Sequence, residues 1–187
     1  MKEKTLVLVK PEGIQRGLIG EFIKRFEQKA LKIIGLKIII PDKALVEKQY
    51  IFEPEWAENT GRKTREAYEK KGIKLTKSNA EIGKEVRKKL IDYLNGQPVI
   101  AIALEGYHAI EIVRKIIGHT EPRQAMPGTI RGDFSVDSYD LGDAFGRPVK
   151  NLVHASDSPE NGLREINVWF DKKELIDYEM HEQKIAH

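Results

Sequence analysis

The chain contains no cysteine. A disulfide framework, a thiolate nucleophile and a thiolate metal site are therefore excluded, and any metal must be held by oxygen or imidazole. Long apolar runs are missing too: nothing in the sequence approaches the roughly 18 consecutive apolar residues that span a bilayer. Met1-Lys2-Glu3-Lys4 runs directly into an apolar strand without a secretory hydrophobic region, so the expectation is a cytoplasmic protein with no membrane partner. Charge of one sign is scarce: a net +3 among 33% charged residues gives no argument for a nucleic-acid partner. No G-x-x-x-x-G-K-[ST] run exists, which removes the P-loop kinases, and no internal repeat or Gly/Ser linker divides the chain.

What remains is 187 residues with 40% hydrophobic content, enough for one packed domain. Residues 5–9 form a short, nearly continuous apolar run that suits a buried strand. Lys10 ends it, and Pro11 biases Lys10 toward an extended backbone on the face of Leu6 and Leu8. Ile19, Phe22, Ile23, Phe26 and Ala30 fall at helical spacing. Residues 33–40 and 99–104 read as a second and third strand, residues 108–117 as a second amphipathic helix, and Leu152-Val153 as a short fourth strand. A further helix starts at Ser158 as N-cap with Pro159 at its first position, turning Leu163, Ile166 and Phe170 inward. The order is that of a split βαβ, ferredoxin-like α+β sandwich: a four-stranded antiparallel sheet with helices over one face. Residues 51–80 lack a steady apolar period and read as a segment inserted into a single domain spanning 1–187.

The chemistry concentrates in Asn151-Leu152-Val153-His154-Ala155-Ser156-Asp157-Ser158, where a histidine ends an apolar strand just before a capped helix. A neutral imidazole is a nucleophile near pH 7, and nearby amides and hydroxyls could hold a phosphoryl group arriving on it. Taken alone, such a histidine is more often structural. The loop Pro127-Gly128-Thr129-Ile130-Arg131-Gly132-Asp133-Phe134 adds a guanidinium fork suited to phosphate oxygens, although Arg131 could equally bind a carboxylate.

These two motifs, with the opening Thr5-Leu6-Val7-Leu8-Val9-Lys10-Pro11-Glu12-Gly13-Ile14-Gln15-Arg16-Gly17-Leu18-Ile19-Gly20-Glu21, resemble the nucleoside diphosphate kinase family, in the same order along the chain. The resemblance implies that His154 takes the γ-phosphate of ATP or another nucleoside triphosphate and passes it to a nucleoside diphosphate in ping-pong fashion. It implies that Lys10, Tyr50, Arg114, Thr120, Arg131 and Asn151 contact phosphates and sugar, and that Glu165, supported by Ser156, orients the imidazole. It further implies that Asp157 lies near Mg2+ carried by the nucleotide, and that the protein self-associates as a hexamer or tetramer. The expected contacts are the ordinary surfaces of the fold and the C-terminal stretch 169–178, with the extra segments projecting outward.

The sequence also departs from the family. Val86 stands where a ring stacks on the base, with Leu90 as its aliphatic partner; Ala155 replaces a glycine; and extra residues occupy 51–80 and 135–150. Trp56 and Tyr68 are the rings near enough in sequence to replace the missing stack. Residues 61–74 hold six Lys/Arg against two Glu, which fits a solvated helix face better than a nucleic-acid patch. Singly, Arg114 could pair with Glu111, Glu165 could be solvated and Tyr50 could be a core-edge residue. A non-catalytic nucleotide- or nucleic-acid-binding regulator on the same fold is the alternative function. Strict strand alternation also puts Asn151 and His154 on opposite faces, so the strand must end or twist between them.

Overall fold

A computed structural model of the protein describes residues 1–69 and 72–180. In chain order its elements are β1 (Lys2–Val9), α1 (Pro11–Gln15), α2 (Ile19–Glu27), β2 (Lys32–Ile39), α3 (Lys43–Gln49), α4 (Pro54–Glu69) and α5 (Asn79–Leu94). There follow β3 (Val99–Tyr107), α6 (Ala109–Ile117), α7 (Ile130–Phe134), α8 (Tyr139–Ala144), β4 (Val153–Ala155) and α9 (Pro159–Trp169). The strands form one antiparallel sheet in the order β2-β3-β1-β4, the ferredoxin-like arrangement expected from the sequence.

Helices cover both faces of this sheet, not one. Val7, Val9, Phe22, Phe26, Ile102 and Val113 pack on the side of α2 and α6. Leu6, Leu8, Val46, Ile91, Leu94, Ala101, Ile166 and Trp169 pack on the side of α3, α5 and α9. Burial on both sides is why β1 reads as an unbroken apolar run: neither set of alternating side chains meets water.

α9 is capped by Ser158, whose side chain accepts from Asn161 N–H, with Pro159 in the first turn as expected. Ile166 and Phe170 are buried, but Leu163 is 53% exposed. Gly162 and Glu165 take the inner face instead. A Cβ at Gly162 would lie 2.2 Å from the Lys4 carbonyl oxygen, so this close approach to β1 sets the helix's rotation. α2 likewise ends at Glu27, leaving Ala30 in a turn with φ of 53°.

Residues 51–80 hold a 16-residue helix, α4, where the sequence shows no apolar period. α4 packs on α5 through backbone proximity. A Cβ on Gly61 would sit 1.8 Å from the Asn79 carbonyl oxygen, and one on Gly83 2.1 Å from that of Ala57. Such a contact needs small residues rather than a wide apolar stripe, so periodicity cannot reveal it. The connection is secured by a capping box between Ser78 and Glu81, and by Arg65, which donates to Asn79 Oδ1 at 2.8 Å and to the Leu75 carbonyl at 2.6 Å. Arg62 pairs with Glu66. Two of the basic residues in 61–74 are thus committed inside the hairpin, while Lys70 and Lys71 lie outside the described residues.

Trp169 and Phe170 belong to this subunit's own core, which removes them from the expected contact with another copy. Beyond them the chain runs along β2, with Ile176 N–H bonded to the Ile34 carbonyl and Asp177 paired with the buried Lys32. Among the described residues no helix is long and apolar enough to cross a membrane.

Alanine in place of glycine in a helix gains up to about 1 kcal/mol of propensity. At Gly83 the clash with α4 outweighs that gain, so Gly83→Ala is expected to destabilise the protein by about 1–3 kcal/mol. Denaturant unfolding measures it, and a variant more stable than the parent would mean the two helices are not locked at this point.

Candidate active site

The site forms where β1 ends and β4 begins. β4 starts only at Val153, and Leu152 before it has φ of 70°. That left-handed residue breaks the two-residue alternation, so Asn151 and His154 open onto one cleft. A leucine there is strained by roughly 1–2 kcal/mol. Two bonds hold it: its N–H donates to Glu12 Oε1 at 2.8 Å, and its carbonyl accepts from Lys10 N–H at 2.8 Å. Ala155 lies within β4 and is not among the residues of positive φ, so the absent glycine costs no strain.

His154 pairs across the sheet with Leu8 and therefore faces the α3, α5 and α9 side. Its Nε2 lies 3.0 Å from Glu165 Oε2 and 3.1 Å from Gln49 Nε2. Its Nδ1 has no partner among the described residues, and the side chain is 24% exposed. Ser156, fully buried behind the ring, donates to Glu165 Oε2 at 2.7 Å and accepts from Leu6 N–H at 3.1 Å. Burial pushes the Glu165 carboxyl up, but the bond and charge of His154, then Ser156 and Arg164, outweigh it and hold the group below its usual range. An ionised Glu165 favours the proton on Nε2, which leaves a lone pair on Nδ1. The Tyr50 ring stands edge-on at 6.3 Å.

Lys10 is buried, with Nζ 2.6 Å from Asn151 Oδ1 and 5.7 Å from the centre of the Tyr93 ring. Burial lowers its pKa to about 8, against the opposing charge of Glu12 and with help from Arg131. Arg131 donates through Nε to the Asn151 carbonyl at 3.0 Å, through Nη1 to Gly118 at 2.8 Å and through Nη2 to Val153 at 2.6 Å. Three of its five N–H groups thus hold the backbone around the site, and burial brings its pKa down to about 10. Asn151 Nδ2 donates to the Thr120 carbonyl at 2.9 Å, tying the loop after α6 to the same point.

The cleft has a volume of about 900 Å³. It is lined by Lys10, Tyr50, Val86, Leu90, Arg114, Thr120, Arg131, Asn151, His154, Asp157 and Glu165. Of the residues singled out from sequence, only Ser156 sits behind the wall. Both additional segments contribute lining: Trp56, Thr60, Thr64 and Tyr68 from α4, and Tyr139, Arg147 and Pro148 from residues 135–150. Arg147 is fixed by a two-pronged bond to Asp137, at 2.6 and 3.1 Å. Gln49 and Trp169 were not foreseen. The available signal was a glutamine three residues after Val46 in α3, on the side that packs into the core.

Among the described residues no three acidic or histidine side chains could cage a metal. Asp157 offers an exposed carboxylate on the lining, its Oδ1 accepting from Asn161 at 2.7 Å. That donor set fits a divalent ion arriving on phosphate oxygens, not a resident metal.

The sequence profile of the nucleoside diphosphate kinase family matches residues 3–63 and 66–175. The chain belongs to this family. A nucleoside diphosphate kinase of Pyrobaculum aerophilum is 44% identical over 180 residues, covering 94% of this chain and 98% of that protein. The crystal structure of an NDP kinase from the same organism superposes with a TM-score of 0.91 at 41% identity, covering 95% of this chain and 100% of that one. A transition-state mimic of the Borrelia burgdorferi nucleoside-diphosphate kinase, with bound vanadate and ADP, gives a TM-score of 0.79 at 34% identity over 97% of this chain and 95% of that one. A Halobacterium salinarum nucleoside diphosphate kinase in complex with CDP gives 0.72 at 32% identity over 100% and 99%. The activity is accordingly the family's, phosphoryl transfer between nucleoside tri- and diphosphates.

The buried charge of Lys10 is a cost to stability. Its folded pKa of about 8 lies below the ordinary 10.5, so stability rises with pH between those values as the buried charge is relieved. Lys10→Met should therefore stabilise the protein at pH 7 by on the order of 1–3 kcal/mol while abolishing turnover. The advantage should shrink by pH 9.5. Denaturant unfolding at both pH values tests this, and a variant less stable than the parent at pH 7 would contradict it.

Proposed function

We propose that His154 carries the phosphoryl group between nucleotides. Nδ1 attacks the γ-phosphorus of a nucleoside triphosphate; the N–P bond forms as the bond to the β–γ bridging oxygen breaks, and the diphosphate leaves with that oxygen. A second nucleoside diphosphate then takes the group onto its terminal oxygen. The observation that carries this reading is that Glu165 holds Nε2 of a ring that lines the cleft, while Nδ1 has no partner among the described residues.

The surrounding groups have distinct tasks in this reading. Glu165 stabilises the positive charge that develops on the ring, and Ser156 fixes the carboxylate. Lys10, Tyr50 and Asn151 position the transferring phosphate and the sugar. Arg114, exposed at the cleft wall, and Thr120 hold the outer phosphates, with Arg131 acting as a fixed positive charge beneath them. Asp157 would face a magnesium ion brought by the nucleotide, which supplies charge neutralisation on the phosphates.

The base belongs against Val86 and Leu90 on α5, with a ring from α4 opposite. Trp56, Thr60, Thr64 and Tyr68 follow one another every four residues along one face of α4 and all line the cleft. Because Ala57 meets Gly83, Trp56 lies within about one turn of Val86. Tyr68 is about 18 Å farther along the helix axis. Trp56 is therefore the stacking ring.

We further infer a single domain, a cytoplasmic location and assembly as a hexamer or tetramer. Self-association is supported by Leu36, Ile38 and Ile40, apolar and exposed along and just beyond the edge strand β2.

Incubation with labelled ATP and magnesium should yield an acid-labile, alkali-stable phosphoenzyme. His154→Asn should abolish labelling and exchange; label on another residue would overturn the mechanism. Glu165→Gln should slow kcat by about 100-fold with a smaller change in KM, since the lost interaction strengthens only as charge develops.

Trp56→Ala should weaken nucleotide binding by about 1–3 kcal/mol for purines and pyrimidines alike, and Tyr68→Ala much less. Equal, unchanged affinities for both folded variants would remove α4 from the base site.

A further inference from the structure

Gln49 is buried at the end of α3, between His154 and Trp169. Trp169 Nε1–H donates to Gln49 Oε1 at 2.6 Å. An indole nitrogen can only donate, so this bond decides which end of the amide points where. The Gln49 NH2 group is thereby turned to His154 Nε2, 3.1 Å away. Glu165 Oε2 approaches the same ring nitrogen at 3.0 Å. One imidazole nitrogen thus faces an acceptor and a donor at once.

These two neighbours want opposite states of Nε2. With a proton there, the ring donates to Glu165, the Gln49 N–H is turned on another N–H, and Nδ1 carries a lone pair. With the proton on Nδ1, Nε2 accepts from Gln49 and confronts the carboxylate with its own lone pair. We propose that Gln49, locked by Trp169, is a positioning residue for the reactive imidazole, bonding Nε2 whenever it lacks a proton and so competing with Glu165 over the ring's tautomer. This rests on the assignment of His154 as the phosphoryl carrier.

Two consequences follow. The ring has a hydrogen-bond partner in either state, so its plane holds through a proton change that would free an imidazole facing a carboxylate alone. The reactive tautomer is also less dominant than Glu165 by itself would make it. The other titratable or charged groups around the ring are Tyr50 at the end of α3, Arg164 beside Glu165 on α9, Lys10 at the end of β1, Arg131 on α7 and Asp157 after β4.

Gln49→Glu is the discriminating substitution. It keeps an oxygen for Trp169 and replaces the competing donor with an acceptor of almost identical shape. Nitrogen-15 NMR of the His154 ring should show a mixed tautomer in the parent and the Nε2–H form in the variant. The acid limb of the phosphorylation rate should move to higher pH, as an added neighbouring carboxylate dictates. Trp169→Phe, which frees the amide to turn over, should move the tautomer the same way by less and leave the acid limb nearer that of the parent. An unchanged tautomer and pH profile in folded Gln49→Glu would overturn the proposal. Labelling of His154 is a separate readout: its failure would remove the phosphoryl carrier, whereas an unmoved ring with intact labelling would remove only the role of Gln49.

Discussion

A central strand sealed on both faces of its sheet meets water only at its ends, and the placement of the site follows from that constraint. β1 is sealed above and below, so polar groups can gather only where it stops. Lys10 is the first residue past that stop. Because β4 runs antiparallel to β1, its entry lies beside the exit of β1, which brings Asn151 and His154 alongside Lys10. The helices sealing the lower face then supply the second layer, with Gln49 from α3 and Glu165 from α9 meeting under the imidazole. Packing and chemistry use the same helices.

Much of this was legible in the sequence wherever one residue type has one dominant cause. The apolar run of β1, the Ser158 cap and the period of α6 each predicted an element that exists. The clustering of Lys10, Arg131, Asn151 and His154 came from motif resemblance, and the structure brings those residues to one cleft. What stayed hidden depends on contacts between backbones. α4 escaped because Gly61 and Gly83 pack by closeness instead of apolar area. The rotation of α9 that exposes Leu163 is set by Gly162 against β1, a constraint belonging to the partner strand. The turn at Leu152 is a third case: nothing in a leucine announces a left-handed backbone, and the bonds that hold it come from Glu12 and Lys10, about 140 residues earlier.

Arg131 illustrates a division of labour that residue identity alone does not disclose. A guanidinium on the wall of a cleft reads at once as an anion fork, yet here most of its donors bind main-chain carbonyls at three places. Its charge still projects into the site while its bonds hold the site's walls together. A lysine at that position could keep the charge but not the three-way brace.

The buried ammonium of Lys10 also makes ligand binding a proton-coupled event. Near pH 8 about half of the empty molecules lack that proton. An arriving polyphosphate favours the charged form, so association draws a proton from solution, and the heat released must vary with the ionisation enthalpy of the buffer. The affinity of the cleft for such an anion is thereby tied to the acidity of its surroundings.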